Sequence, residues 1–223
     1  MLQLIQEIEE QFQLHANPEY ALKCSAYMRN RFSFYGIQSQ KRKEIQKQFY
    51  PKINEIPVSE RWDFIIECWA KEEREWQYFA IDWMNSWKKK SFTSTDIFQL
   101  EKLIIQKSWW DSVDSIASNV LGEWIKCFPK DFQPILKDWR SDNNFWLHRS
   151  SLIFQLKYKN DVDTVLLEDL INQYKSNNEF FIQKAIGWSL RQLSKTNPER
   201  VKSILIHQDI KGLALREASK YLP

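Results

Sequence analysis

Apolar residues recur three and four positions apart through most of the 223-residue chain, the spacing that lays them along one face of an α-helix. Leu4, Ile5, Ile8 and Phe12 predict a first helix over 2–15. Asn17-Pro18 opens a second, with Pro18 pre-set for the first helical position; it carries Tyr27, Met28, Arg29 and Arg31 and runs to Gly36 as a left-handed C-terminal cap. Ser39 caps a third, whose first turn is Lys41-Arg42-Lys43. Ser59 caps residues 60–70, and 73–90 follow, ending in Lys88-Lys89-Lys90, where positive charge suits the helix dipole. After Ser94 or Thr95 come 96–107 and then 109–127, stopped by Pro129. The series closes with 131–140, 144–159, 162–176, 179–195, 198–208 and 213–222. Nothing reads as a strand.

The longer helices repeat. A small residue returns at Ala80, Ser115, Ser150, Ala185 and Ala218, at intervals of 35, 35, 35 and 33. With two helices per unit, that period is the signature of an α-solenoid of the HEAT or TPR kind, in which each pair buries its apolar face only by stacking on its neighbours. One domain over 1–223 is expected, all-α and curved into a superhelix. The position before each small residue reads Phe79, Asp114, Arg149, Lys184, Glu217. Asp114, Arg149 and Lys184 thus occupy one structural place in three consecutive repeats and should project from one side, taken as the concave one.

Composition adds to this picture. Four glycines and seven prolines are few, which favours helix with short connections. No apolar run approaches the roughly 18 residues of a membrane span, and the N-terminus is amphipathic and acidic, so a soluble, cytoplasmic protein is expected. Cys24, Cys68 and Cys127 have no second Cys or His at ligand spacing; no metal site and no cofactor is expected. A net charge of +3 is too small to argue for nucleic acid by its sum. Placement matters more. Cations in the first turn of a helix oppose its dipole, so Lys41-Arg42-Lys43 is expected to serve a partner, a solvated charge run being the plainer alternative. Eleven tryptophans exceed what a helical core needs, so some rings should face a partner.

Residues 108–118 concentrate the candidate chemistry. Trp109, Val113, Ile116, Ala117 and Val120 make one apolar stripe. Trp110 and Asp114, four apart, stand off that stripe one turn above the other. Either they pack as ordinary helix residues or they set an aromatic face beside a carboxylate for a ligand. Arg149 interrupts an apolar stripe of Phe145, Leu152, Ile153 and Leu156 and must find an anion or open onto a solvent-filled groove; a salt bridge to Asp114 and a phosphate clasp are both open to it and are not incompatible. Gly187, one residue before Trp188, lets something bulky come close, DNA or another helix.

Three stretches, Lys-Ser-Trp-Trp-Asp-Ser-Val-Asp-Ser (107–115), Phe-Gln-Leu-Lys-Tyr-Lys (154–159) and Glu-Phe-Phe-Ile-Gln-Lys-Ala-Ile-Gly-Trp (179–188), carry a resemblance to the AlkD family of bacterial DNA alkylation-repair glycosylases. Tyr-Met-Arg-Asn-Arg-Phe (27–32) and Gly-Ile-Gln (36–38) extend it over essentially the whole chain. The resemblance implies HEAT-like repeats curved round DNA and excision of 3-methyladenine and 7-methylguanine from duplex DNA, with no metal, no membrane and a monomeric protein. It implies Asp114 as the catalytic carboxylate, Trp110 and Trp188 as rings touching the sugar, Arg149 on the DNA backbone, and Tyr27 near the lesion. Lys184, in the same row of charges, joins the DNA-binding set. The chain ends soon after Tyr221, so an extension found in relatives, with its DNA contacts, is expected to be missing.

The competing reading is a non-catalytic solenoid that holds DNA or protein, since fold alone does not give function. A carboxylate in a phosphate-binding groove repels the ligand, which weighs against a scaffold and for an enzyme.

Overall fold

A computed structural model describes residues 1–87 and 89–222. Contacts gather into two units, Met1–Trp87 and Lys88–Pro223. Among the described residues there is no strand, only an isolated bridge between Ser33 and Glu73, and the protein is all-α.

The first unit holds α1 (Leu2–Leu14), α2 (Pro18–Tyr27), α3 (Ser39–Ile53), α4 (Arg61–Ala70) and α5 (Arg74–Met84). Its core is aromatic: Phe12 meets Trp76 edge-on at 5.1 Å, and Phe64 meets Trp83 at 5.3 Å. α2 starts as expected, with the Asn17 side-chain Oδ1 accepting from Tyr20 N and Pro18 in the first turn. It ends at Tyr27, short of the expected Gly36 cap. Gly36 does sit at φ +81°, but for packing: a Cβ there would lie 2.2 Å from Asn17 O and 2.5 Å from Ala21 N. The buried carboxylate of Glu75 ties this loop down, accepting from the backbone N–H of Tyr35, Gly36 and Ile37 at 3.1, 2.9 and 3.1 Å. Burial raises its pKa against those three donors.

Two expectations are corrected here. Arg42 does not face a partner: it is buried, donates to Gln46 Oε1 (2.9 Å) and Asp82 Oδ2 (2.7 Å), and lies over the Tyr78 ring. The ion pair with Asp82 outweighs an unfavourable dipole. α5 stops at Met84 rather than running to Lys88-Lys89-Lys90; Lys88 lies outside the described residues, and Lys89–Ser91 form a separate 3-10 turn.

The second unit holds α6 (Asp96–Ile105), α7 (Trp110–Ser115), a π-helical segment (Ile116–Leu121), α8 (Gly122–Cys127), α9 (Pro129–Ser141), α10 (Phe145–Ile153), α11 (Thr164–Tyr174), α12 (Phe180–Leu193), α13 (Pro198–His207) and α14 (Gly212–Ala218). Pro129 both ends one helix and begins the next. Side-chain caps start several of these helices: Asn144 accepts from Trp146 N, Asp163 from Leu166 N, and Asn197 from Arg200 N. The expected helix 144–159 ends at Ile153 instead.

The second helices of successive repeats stack in order: α7 and its π segment against α10, α10 against α12, and α12 against α14. Gly187 serves this last contact. A Cβ at Gly187 would fall 2.4 Å from Glu217 Cβ and 2.9 Å from Ala214 O, so what comes close is another helix. Gly187→Ala should therefore force α12 and α14 apart and cost about 1–3 kcal/mol, read as a lowered thermal unfolding midpoint.

Candidate functional site

The stacking order brings the row of pre-repeat positions together. Asp114 on α7, Arg149 on α10, Lys184 on α12 and Glu217 on α14 form two consecutive ion pairs. Arg149 grips Asp114 with its planar fork, Nε to Oδ1 at 2.6 Å and Nη2 to Oδ2 at 2.7 Å, while Nη1 donates to the carbonyl of Phe181. Lys184 Nζ lies 3.0 Å from Glu217 Oε1, and Glu217 Oε2 accepts from Arg191 at 3.0 Å and from Lys220 at 3.1 Å.

Of the two partners open to Arg149, the structure has Asp114. The Arg149 side chain is 1% exposed and its fork is taken up by Asp114. Asp114 keeps 17% of its side chain exposed, so the pair presents its negative end to solvent. Burial pushes the Asp114 carboxyl above the usual aspartate value, and the Arg149 guanidinium works against that shift. Asp111 nearby adds a smaller upward push.

Tryptophan burial separates the site from the core. In the second unit Trp109, Trp124, Trp139 and Trp146 are buried. Trp110 and Trp188 remain partly exposed. Trp110 sits one turn before Asp114. The Trp188 ring has Arg149, Lys184 and Arg191 over it at 5.2, 5.4 and 5.7 Å from its centroid. The whole apolar stripe read from the sequence, Trp109, Val113, Ile116, Ala117 and Val120, is buried. Trp109 packs on Trp146 and Phe181 at 5.9 and 5.1 Å, which fixes the start of α7. Tyr27 belongs to the first unit, at the end of α2, and is 70% exposed.

Sequence reasoning missed two contributors. Phe181 supplies both a ring under Trp109 and the carbonyl that takes the third donor of Arg149; a backbone acceptor leaves no trace in residue type. Glu217 stood in the row of charges but was not singled out, and it holds Lys184 and Arg191 beside Trp188. Burial alone would raise its pKa, yet Lys184 and Lys220 outweigh that and lower it from the usual 4.5 to about 2. Its contribution to stability is thus full above pH 4.5 and lost as pH falls toward 2. The gap in unfolding midpoint between wild type and Glu217→Gln should be present at pH 6 and close across that window.

A cavity of about 530 Å³ lined by Phe132, Leu136, Phe154 and Tyr158 holds none of these site residues. Among the described residues no group of three or more His, Cys, Asp or Glu could hold a metal, and no helix is long and apolar enough to cross a membrane.

Comparison with known proteins agrees with the motifs. Residues 8–222 match the family described as DNA alkylation repair enzyme. A solved structure described as a predicted DNA alkylation repair enzyme from Enterococcus faecalis superposes with a TM-score of 0.86 at 38% identity, covering 93% of this chain and 97% of that one. No curated protein matches. Since the family match spans nearly the whole chain, the protein belongs to the DNA alkylation repair enzymes and acts in the repair of alkylated DNA.

Proposed function

We propose that the protein is a monofunctional DNA glycosylase that excises positively charged N-alkylated purines, 3-methyladenine and 7-methylguanine, from duplex DNA. The observation that carries this reading is the Asp114 carboxylate, fixed by both oxygens in the fork of Arg149 yet partly open to solvent, one turn from the partly exposed Trp110.

The chemistry asks for little more. Alkylation at N3 of adenine or N7 of guanine already makes the base a cationic leaving group. As the C1′–N bond breaks, its electron pair goes to the base and neutralises it, and the positive charge moves to the sugar as oxocarbenium character. As the carboxylate, Asp114 stabilises that charge because the Arg149 fork sets its place before the substrate arrives. A water then forms the bond to C1′ and gives up its proton, to Asp114 or to solvent. The Trp110 and Trp188 rings favour a cation at their faces by about 0.5–2 kcal/mol each. Lys184 and Arg191, beside Trp188, suit a phosphate flanking the reacting sugar. Tyr27 is assigned to DNA near the lesion. Arg149, buried with its fork on Asp114, acts through Asp114 as a positioning residue.

The test is release of free 7-methylguanine and 3-methyladenine from methylated duplex DNA by the wild type and by Asp114→Asn. Release by the wild type alone supports the reading. Duplex binding by both, with release by neither, returns the protein to a DNA-binding module.

A further inference from the structure

The helix that carries Asp114 is not a continuous α-helix. Residues Trp110–Ser115 are α, Ile116–Leu121 are π, and Gly122–Cys127 are α again. A π turn replaces i→i+4 bonds by i→i+5 bonds, is rare, and persists only where something local holds it. Here Gly122 N–H reaches Ala117 O, five residues back.

Two side chains hold the upstream end. Ser118 Oγ donates to the carbonyl of Asp114 itself at 2.7 Å. Asn119 Nδ2 donates to Ser115 O at 2.8 Å and to Ser115 Oγ at 3.2 Å. Serine and asparagine compete in this way for backbone groups, which is why they are poor in regular helix interiors. The downstream end is fastened to the repeat that carries Arg149. Tyr158 Oη donates to Gly122 O at 2.6 Å, and a Cβ at Gly122 would fall 2.7 Å from Phe154 O.

The repeat itself does not call for this turn. At the 35-residue period Ser118 and Asn119 correspond to Ile153 and Phe154, then to Trp188 and Ser189, and α12 runs as uninterrupted α-helix from Phe180 to Leu193. Ser189 does bond back to Ala185 O, at 2.9 Å, within that α-helix, so one such bond does not make a π turn; the Ser118–Asn119 pair together with the clamped Gly122 belongs to the Asp114 repeat. Its effect follows from helix geometry. With Gly122 clamped, a change of winding between 116 and 121 must swing Asp114 about the helix axis, by up to about 100° for one residue's worth of turn. A two-point grip at 2.6 and 2.7 Å tolerates no such swing.

We propose that the π segment sets the position of the Asp114 carboxylate against Arg149, with Ser118 and Asn119 as positioning residues for the excision reaction. This rests on the reading of Asp114 as the catalytic carboxylate. The test is the Ser118→Ala/Asn119→Ala double variant beside Ser118→Thr, which keeps the hydroxyl, and Asp114→Asn. In the double variant a crystal structure is expected to show 116–121 rewound toward α-helix and the two-point Asp114–Arg149 grip lost. Single-turnover release of 7-methylguanine should fall about 10²-fold, the scale expected for a misplacement of roughly 1 Å. Duplex affinity should hold, the unfolding midpoint should fall by no more than it does in Arg149→Ala, which removes the same ion pair, and Ser118→Thr should keep the wild-type rate.

A double variant as fast as wild type, with Asp114→Asn inactive, overturns the positioning role and leaves the catalytic reading standing. A rate lost together with duplex affinity, or with a stability loss well beyond that of Arg149→Ala, overturns it too, since that is a structural role. Should the wild type release no alkylated base, the catalytic reading fails separately. The double variant's crystal structure then decides alone: a retained π turn with the ion pair intact overturns the placement, and a rewound turn with the pair broken supports it.

Discussion

Asp114→Asn should lower the single-turnover rate of alkylpurine release by about 10²–10³-fold, the range seen when one preorganised electrostatic stabiliser is removed. Asparagine has nearly the shape of aspartate and can still accept from Arg149 through its carbonyl oxygen, so the fold should survive. What it lacks is the charge that meets the oxocarbenium sugar. Binding of methylated duplex should hold or strengthen, because a carboxylate facing solvent beside DNA repels phosphate. The two effects have opposite signs. A variant that loses binding and rate in equal measure would mark Asp114 as structural, and one that keeps the wild-type rate would end the assignment.

Arg149→Ala should produce the largest change in stability. It leaves a mostly buried carboxylate and the Phe181 carbonyl without their donors, a loss of about 3 kcal/mol for a broken, largely buried pair. For a chain of this size that is a fall of about 6–12 °C in unfolding midpoint. The pH profile should move as well. Burial already holds the Asp114 carboxyl above the usual aspartate value, and Arg149 opposes that. Without the guanidinium the pKa rises further, the ionised form is lost sooner on acidification, and the acid limb of the excision rate shifts to higher pH. Arg149→Lys, which keeps a charge but not the fork, should fall between. The salt dependence of DNA binding should stay unchanged, because the fork is not presented to phosphate. A slope shallower by about one contact would instead mean that Arg149 swings onto the DNA.

Residue spacing was enough to read the helices, their order and the 35-residue period, because burial of one face imposes a 3.6-residue periodicity that composition cannot hide. The same spacing placed Trp110 and Asp114 one turn apart, and the 35-residue register put Asp114, Arg149, Lys184 and Glu217 in one row. It could not choose between a ligand and a salt bridge for Arg149, nor between DNA and a neighbouring helix for Gly187. Those choices depend on the distance between helices far apart in sequence, which only packing fixes. Helix ends failed for a related reason. Gly36 has the positive φ that a cap would use, yet its conformation answers to Asn17 and Ala21, at the far end of the helix it was expected to end, and to the buried Glu75 on another helix. The π turn was invisible as well: Ile116, Ala117 and Val120 read as an ordinary helical stripe. The extra residue in the turn shows only where Ser118, Asn119, Gly122 and Tyr158 have taken their hydrogen bonds. The sequence alone determined which residues can carry charge and aromatic surface along one side of each helix. The tertiary structure decided which charges neutralise each other, because the energy of an ion pair depends on separations of tenths of an ångström that no periodicity encodes.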